Sequence, residues 1–216
     1  GMLLALGLVA ALLESKESKK GQVVDAAMTD GSALLMTMIY TMQSSGVWKT
    51  SMGSNLLDGG SHFYDTYECK DGKFISLGSI EPQFYALLCQ IAELDESIFG
   101  NQMSRDSWPE QKEAIKKIIL DKTRDEWCEL MEGTDVCFAP VLDMSEAPKH
   151  PHNVERKTFI DLEGVTQPAP APRFSRTEPE VVSSPSVVGE HTDEVLTSIG
   201  FSDEDINTLK TSGAVA

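Results

Sequence analysis

The apolar residues near the start of the chain predict helices that are apolar on almost every side. A first helix is expected over about Leu3–Ser15, then a short strand at Gln22–Asp25 and a longer helix from Ala26 to Gln43. Apolar side chains cover nearly the whole circumference of the longer helix, and such a helix must be packed on most of its sides. The pattern leaves open whether its neighbours belong to this chain, to a second copy of it, or to neither.

The middle of the chain has the composition of β-strands. We expect strands at His62–Cys69 and Lys73–Gly78, separated by a glycine-rich loop (46–60) from the helices before them. The Asp71-Gly72 pair between them predicts a hairpin with a type I′ turn, in which both central residues have positive φ.

Amphipathic helices and one more strand are expected to pack around this hairpin. Tyr85, Trp108 and Trp127 have the helical spacing of core residues rather than of a stacking platform. Thr123 is placed to cap the helix that contains Trp127. The predicted helices are Pro82–Glu93, Trp108–Leu120 and Arg124–Glu132, and the strand is Val136–Pro140.

A proline-rich stretch from about Pro148 to Pro185 predicts an irregular arm lying on another surface, because a packed helix cannot absorb so many prolines. Two short helices follow, at Thr192–Ile199 and Asp203–Thr211, the second with Ser202 as its N-cap. The expected fold class is α/β, in three segments. These are residues 1–45 (N-terminal helices), 46–148 (a small α/β domain with a β-hairpin and surrounding helices) and 149–216 (the arm and C-terminal helices).

Composition and charge exclude several kinds of partner. The 216 residues include 34 acidic and 18 basic ones, a formal charge of −16, which argues against nucleic acid and against anionic membrane surfaces. The uncharged run Met2–Leu13 is too short to span a bilayer and favours a buried helix. We therefore expect neither nucleic acid nor membrane as a partner.

The residues that most often bind metals are poorly placed to do so. Cys69, Cys89, Cys128 and Cys137 form no CxxC pair, and the expectation is free, buried thiols in a reducing cytoplasm. Three histidines, at positions 150, 152 and 191, have no carboxylate or cysteine at a recognisable ligand spacing, so no metal site is predicted.

Several motifs resemble those of one enzyme family. From about Leu3 to Val215 they follow the order found in the α-methylacyl-CoA racemases, within the wider family III CoA-transferase group. The matching motifs are Gly21–Asp25, Asn55–Gly60, Ile80–Tyr85, Gly133–Asp135 with Pro140–Leu142, and Gly189–Thr192. The resemblance covers the second half of a family member.

The resemblance implies racemisation of 2-methylacyl-CoA thioesters by exchange of the α-proton, without metal or redox cofactor. Family members are interlocked homodimers, and their large domain binds CoA. In this chain the N-terminal helices and the C-terminal arm would belong to that large domain. The family's catalytic histidine and aspartate lie in an N-terminal region that the match does not cover. The expectation is a partial racemase-like protein that is inactive alone, with most of the acyl-CoA site outside the chain.

Two groups of residues match the family's active-site motifs. Glu81, just before a helix, is expected to play a supporting catalytic role, although an acidic residue there also simply complements the helix dipole. Asn55, Asp58, Gly59 and Gly60 are expected to contact substrate, because glycines let backbone approach a ligand closely; the alternative is an ordinary turn.

His62 stands where relatives typically have proline. It is a tempting replacement for the missing base, but a histidine that opens a strand is more often structural.

Other functions fit the same resemblance. One is a fragment of a family III CoA transferase, whose catalytic aspartate also lies outside the match. Another is a non-catalytic assembly module that pairs with a separate large-domain chain. In every case the N-terminal helices, apolar on most sides, would expose apolar faces, which predicts self-association, most simply as a dimer.

Overall fold

A computed structural model describes residues 1–181 and 183–215. The chain divides into two compact units, Gly1–Val141 and Leu142–Ala216. Helices and small antiparallel sheets alternate along both, which confirms the predicted α/β class. The division into three segments at residues 45 and 148 stays a prediction.

The first unit begins with three helices, α1 (Met2–Ser18), α2 (Met28–Leu35) and α3 (Thr37–Ser44). The first helix is confirmed, whereas the long second helix is broken at Met36, where ψ rises to 2°. The predicted strand at Gln22–Asp25 is wrong, because this described segment pairs with no other strand. A strand alone leaves its backbone groups without partners.

Helices α1 to α3 keep their apolar residues on the surface. None of their residues, all of them described, is buried. Val9 is 64% exposed and Leu35 is 83% exposed. The packing that their composition demands is therefore not supplied within this unit.

Three antiparallel strands form the sheet of the first unit, in the order β1 (Tyr64–Glu68), β2 (Phe74–Gly78), β3 (Phe138–Val141). The predicted hairpin is confirmed, but its turn is not type I′. Gly72 has φ 74° while Asp71 stays outside the left-handed region, and the Gly72 amide donates to the Cys69 carbonyl oxygen. A single glycine in that region is enough for this wider loop.

Four helices cover one face of this sheet and close the core. They are α4 (Pro82–Ile91), α5 (Glu96–Phe99), α6 (Trp108–Ile119) and α7 (Arg124–Met131). Tyr85, Trp108 and Trp127 are all buried, which confirms them as core residues. Thr123 caps α7 in a reciprocal capping box with Glu126, as its position predicted.

The second unit is more regular than its prolines predict. After one turn of 3-10 helix it contains α8 (Pro151–Glu155), then a hairpin of β4 (Phe159–Leu162) and β5 (Val165–Pro168). The expectation of an irregular arm is wrong at this hairpin. Its central residues Glu163 and Gly164 have φ 52° and 82°, so the paired positive φ values of a type I′ turn occur here instead.

Two helices, α9 (Thr192–Ser198) and α10 (Asp203–Thr211), follow the hairpin. Both were predicted, and Ser202 caps α10 together with Asp205. Among the described residues, no helix has the length and apolar character needed to cross a membrane.

Candidate functional site

The loop that precedes β1 is organised around the side chain of Asn55, which is 1% exposed. Its Oδ1 accepts a hydrogen bond from the Lys49 amide at 2.7 Å, and its Nδ2 donates to the Lys49 carbonyl oxygen at 2.9 Å. A buried amide side chain must find such partners, because desolvation without them is costly. Asn55 therefore ties the beginning of the glycine-rich loop, at Lys49, to its middle.

Asp58 binds the same asparagine from the other side. Its Oδ1 accepts from the Asn55 backbone amide and its Oδ2 from Asn55 Nδ2, both at 2.7 Å, and the Gly60 amide lies 3.3 Å from Oδ1. Burial by itself would raise the pKa of Asp58, but these N–H donors together lower it below its ordinary value. The carboxylate is thus the anionic group on which these loop hydrogen bonds converge, and it is poorly suited to accept a proton.

Glycine is needed at positions 59 and 60 of the loop for two different structural reasons. Gly59 has φ 81°, a conformation that glycine adopts without strain. A Cβ on Gly60 would lie 2.6 Å from both the amide nitrogen and the carbonyl oxygen of Asn55. The chain can therefore fold back on Asn55 only with glycine at position 60.

Lys112 on α6 joins this loop to the sheet. Its Nζ donates to the Gly59 carbonyl oxygen and forms an ion pair with Asp65 Oδ2 at 2.5 Å. Sequence reasoning missed this residue. A lysine on the polar side of an amphipathic helix carries no local signal that it will meet a loop 53 residues earlier.

Glu81 stands apart from the loop, at the N-cap of α4. Its backbone is extended, with φ −71° and ψ 143°, and Pro82 occupies the first helical turn. The side chain is exposed and makes no capping hydrogen bond. Within the described chain no hydrogen bond or ion pair engages this carboxylate, which leaves it available to an outside group.

The thiol of Cys137, which precedes β3, interacts electrostatically with the Glu81 carboxylate. Burial, and after it the carboxylates of Glu81 and Asp135, raise the pKa of the Cys137 thiol. Cys137 is exposed and has φ 57°, so the expectation that all four thiols are buried is wrong here. All four cysteines are free.

A cleft of about 430 Å³ lies on the sheet face away from the core. Of the predicted site residues, Gly59 lines it, while Asn55, Asp58, Gly60 and Glu81 do not. The other lining residues include Tyr64, Ser76, Gly78, Cys137 and Ala139.

His62 is fully buried and is part of the packed interior. Its Nε2 lies 2.8 Å from the Tyr85 hydroxyl, which itself donates to the Phe99 carbonyl oxygen at 2.8 Å. Because that hydroxyl proton is already used, His62 Nε2 must carry a hydrogen and donate it. Burial lowers the pKa of His62 to about 4, so the ring is neutral at pH 7.

No group of three or more His, Cys, Asp or Glu side chains in the described ranges could hold a metal ion.

The sequence of the chain is similar to those of known proteins. The sequence profile described as CoA-transferase family III matches residues 1–192. The chain is 46% identical to the α-methylacyl-CoA racemase of Mus musculus over 212 residues, which are 97% of this chain and 55% of that protein. The racemase of Homo sapiens is 42% identical with the same coverage. The chain therefore spans about half the length of the curated relatives it matches.

The fold has solved counterparts. A crystal structure of a CaiB/BaiF family protein from Brucella suis superposes with a TM-score of 0.68 at 18% identity, covering 92% of this chain and 53% of the other. At that identity the likeness concerns the fold alone.

Proposed function

The chain belongs to CoA-transferase family III, and on that premise we propose that it is a partial α-methylacyl-CoA racemase-like protein. Its 216 residues would support α-proton exchange on 2-methylacyl-CoA thioesters without performing it alone. Identities of 46% and 42% with two α-methylacyl-CoA racemases favour this reaction within the family.

The state of the titratable groups carries the proposal. Exchange of an α-proton needs a base on one face of the carbon and an acid on the other. Asp58 is engaged by three N–H donors, and His62 is buried and neutral with its Nε2 donating to Tyr85. Glu81 is exposed and unengaged, which suits a supporting carboxylate that meets a catalytic group from outside this chain.

The predicted substrate contacts fit the same division of roles. Asn55, Asp58 and Gly60 hold one another and set the shape of the loop, while Gly59 reaches the cleft. In this proposal Gly59 contacts substrate directly and the other three position it.

Incubation of the purified chain with a 2-methylacyl-CoA in deuterated water tests the proposal. The expected result is no deuterium at the α-carbon by mass spectrometry, with the mouse racemase as positive control. Deuterium incorporation by this chain, abolished by Glu81→Gln and retained by Glu96→Gln, would refute the supporting role and assign catalysis to Glu81.

A second candidate, a non-catalytic assembly module, is favoured by the exposed apolar helices. Large exposed apolar surfaces mark association sites, and α1 to α3 have no buried residue. In this reading the chain pairs with a separate large-domain chain or dimerises, in the cytoplasm, where its free cysteines remain reduced. Sedimentation of the chain as a monomer, with no companion recovered from the native source, would count against it.

A CoA-transferase fragment remains the third candidate, in keeping with the name of the matched family. Its reaction differs from that of a racemase, because a transferase moves CoA from the acyl-CoA to a second molecule. Because the family's catalytic aspartate lies outside the match, the test uses the chain together with a large-domain chain from its native source. Transfer of CoA from an acyl-CoA to a free carboxylic acid by that pair, followed by chromatography, would identify it.

A further inference from the structure

The segment that leads into helix α4 is held from two sides by residues distant in sequence. On one side, the Ser79 hydroxyl donates to the Val136 carbonyl oxygen at 2.5 Å, and the Gly78 amide donates to the Cys137 carbonyl oxygen at 2.8 Å. Ser79 and Val136 are both fully buried. These hydrogen bonds fix the segment against the part of the chain that enters β3.

On the other side, the segment is held by the side chain of Gln102, which lies in the loop between α5 and α6. Its Nε2 donates to the Ser79 carbonyl oxygen at 3.0 Å and to the Ile80 carbonyl oxygen at 2.9 Å. A side-chain amide nitrogen has two hydrogens, so both are used here. The opposite orientation of the amide would turn its oxygen toward two carbonyl oxygens, none of which can donate.

Gln102 is itself anchored to the core of the first unit. Its carbonyl oxygen accepts a hydrogen bond from Trp108 Nε1 at 2.8 Å. Trp108 is buried at the start of α6, and the side chain of Gln102 is half-buried. A residue that is already ordered in this way can hold a neighbouring segment with little further loss of conformational entropy.

The two carbonyl groups that Gln102 binds come directly before Glu81, the N-cap of α4. After Glu81 the backbone is fixed by the helix, because its carbonyl oxygen accepts from the amides of Phe84 and Tyr85 at 3.1 and 3.0 Å. The Glu81 carboxylate makes no capping hydrogen bond of its own. The position from which this carboxylate projects is therefore set by its neighbours.

We propose that Gln102 is a positioning residue for Glu81, an inference that rests on the proposed function. By binding the carbonyl groups of Ser79 and Ile80, Gln102 holds the Glu81 backbone beside β3. The carboxylate is thereby oriented toward the catalytic group that would come from outside this chain. Such support matters because a functional side chain must be held within about 0.5 Å of its working position.

The reactivity of Cys137 depends on where the Glu81 carboxylate lies. Burial, then Glu81, then Asp135 raise the pKa of the Cys137 thiol. Because the thiolate is the nucleophile, a lower pKa speeds alkylation at neutral pH. Alkylation with iodoacetamide between about pH 6 and 10, a range around the ordinary thiol pKa of about 8.5, measures this pKa by mass spectrometry of the Cys137 peptide. Glu81→Gln and Asp135→Asn are each expected to speed alkylation about twofold at neutral pH, as suits exposed charges.

Gln102→Met gives the decisive comparison. Methionine has a similar length but no donor, so the Ser79 and Ile80 carbonyl groups lose their partner and the Glu81 backbone is released. In this background Glu81→Gln should lose its effect on Cys137. Asp135→Asn should keep its effect, because the hydrogen bonds of the Gln102 side chain reach the segment before α4 and not Asp135.

Two further variants complete the experiment. Gln90→Met, which changes an exposed glutamine of α4, should leave the effects of both carboxylates as they are in the parent. Gln102→Asn keeps the amide on a side chain one methylene shorter and should keep part of the effect of Glu81→Gln. Circular dichroism establishes that each variant is folded, and the asparagine variant remains informative if the methionine variant does not fold.

An undiminished effect of Glu81→Gln in folded Gln102→Met, or no effect of Glu81→Gln in the parent, would overturn the positioning role. Loss of the Asp135 effect together with the Glu81 effect would overturn it too, because the variant would then have loosened the whole surroundings of the thiol.

The deuterium test of the proposed function is independent of these readouts. An effect of Glu81→Gln that survives in Gln102→Met, with no deuterium uptake by the parent, removes the positioning role alone. Loss of that effect, together with deuterium uptake by the parent, keeps the positioning role and refutes inactivity.

Discussion

Asp58 accepts hydrogen bonds from both the backbone amide and the side-chain amide of Asn55, each at 2.7 Å. Asn55 thus donates twice to one carboxylate, inside a motif that the sequence predicts to bind substrate. The first consequence is structural, because these hydrogen bonds hold the shape of the loop.

Replacing Asp58 by asparagine should therefore destabilise the first unit. An asparagine oxygen can accept at one position only, and its NH₂ group would face the Asn55 donors, so a loss of about 2 kcal/mol in the free energy of unfolding is expected. Urea unfolding measures it, and Asp121→Asn, an exposed carboxylate on the surface, is the control. Equal stability of both variants would contradict the structural role of Asp58.

The same carboxylate should contribute to acid sensitivity. Its pKa is lowered in the folded state from an ordinary 3.8, so its stabilisation is present above that value and is lost as the pH falls through the lower folded pKa. Stability measured between pH 5 and 2, conditions set by the reference pKa of Asp at about 3.9, should fall less steeply in Asp58→Asn than in the parent. Parallel curves would show that Asp58 titrates alike in both states.

Gly60 should tolerate no side chain. The Cβ of Gly60→Ala would lie 2.6 Å from backbone atoms of Asn55, which cannot move without opening the loop. We expect a loss of at least about 2 kcal/mol, in the range of overpacking. Gly21→Ala is the matched control, because nothing lies within 4 Å of its added Cβ. Thermal unfolding that shifts no more in Gly60→Ala than in Gly21→Ala would contradict this packing.

Lys112 should stabilise the loop through α6. Lys112→Met removes its bonds to the Gly59 carbonyl oxygen and to Asp65 while keeping the aliphatic stem, and about 1 kcal/mol should be lost, since the pair is partly solvated. Lys117→Met, on the exposed side of the same helix, is expected to be neutral. Hydrogen exchange should show faster opening of residues 55–60 in the first variant only.

His62 should make stability depend on pH at mildly acidic values. Its pKa is about 4 in the folded state against an ordinary 6.5, so the unfolded chain binds more protons between these values and stability falls as the pH drops from 6.5 to 4. His62→Phe keeps an aromatic ring and removes the titrating group. Its stability should vary less over that range, and an unchanged slope would show that other groups are responsible.

Local signals predicted much of the fold. Thr123 and Ser202 cap α7 and α10 through hydrogen bonds to residues three positions ahead, so the signal and the structure lie within one helical turn. The hairpin β1–β2 was also predicted, because an Asp-Gly pair and flanking strand formers are adjacent in sequence. The type I′ turn predicted from the same pair was wrong, since the backbone angles at Asp71 depend on how the two strands twist and pair.

The candidate site, too, was predicted only in part from the sequence. The motifs alone identified Asn55, Asp58, Gly59, Gly60 and Glu81, and with them the family. Only the tertiary structure showed that Lys112 reaches Gly59 from helix α6, that His62 is buried against Tyr85, and that Gly78 lines a cleft. Residue types and short spacings determine which chemistry is present, but contacts between distant segments decide which groups are engaged, because burial and pairing are properties of the packed chain.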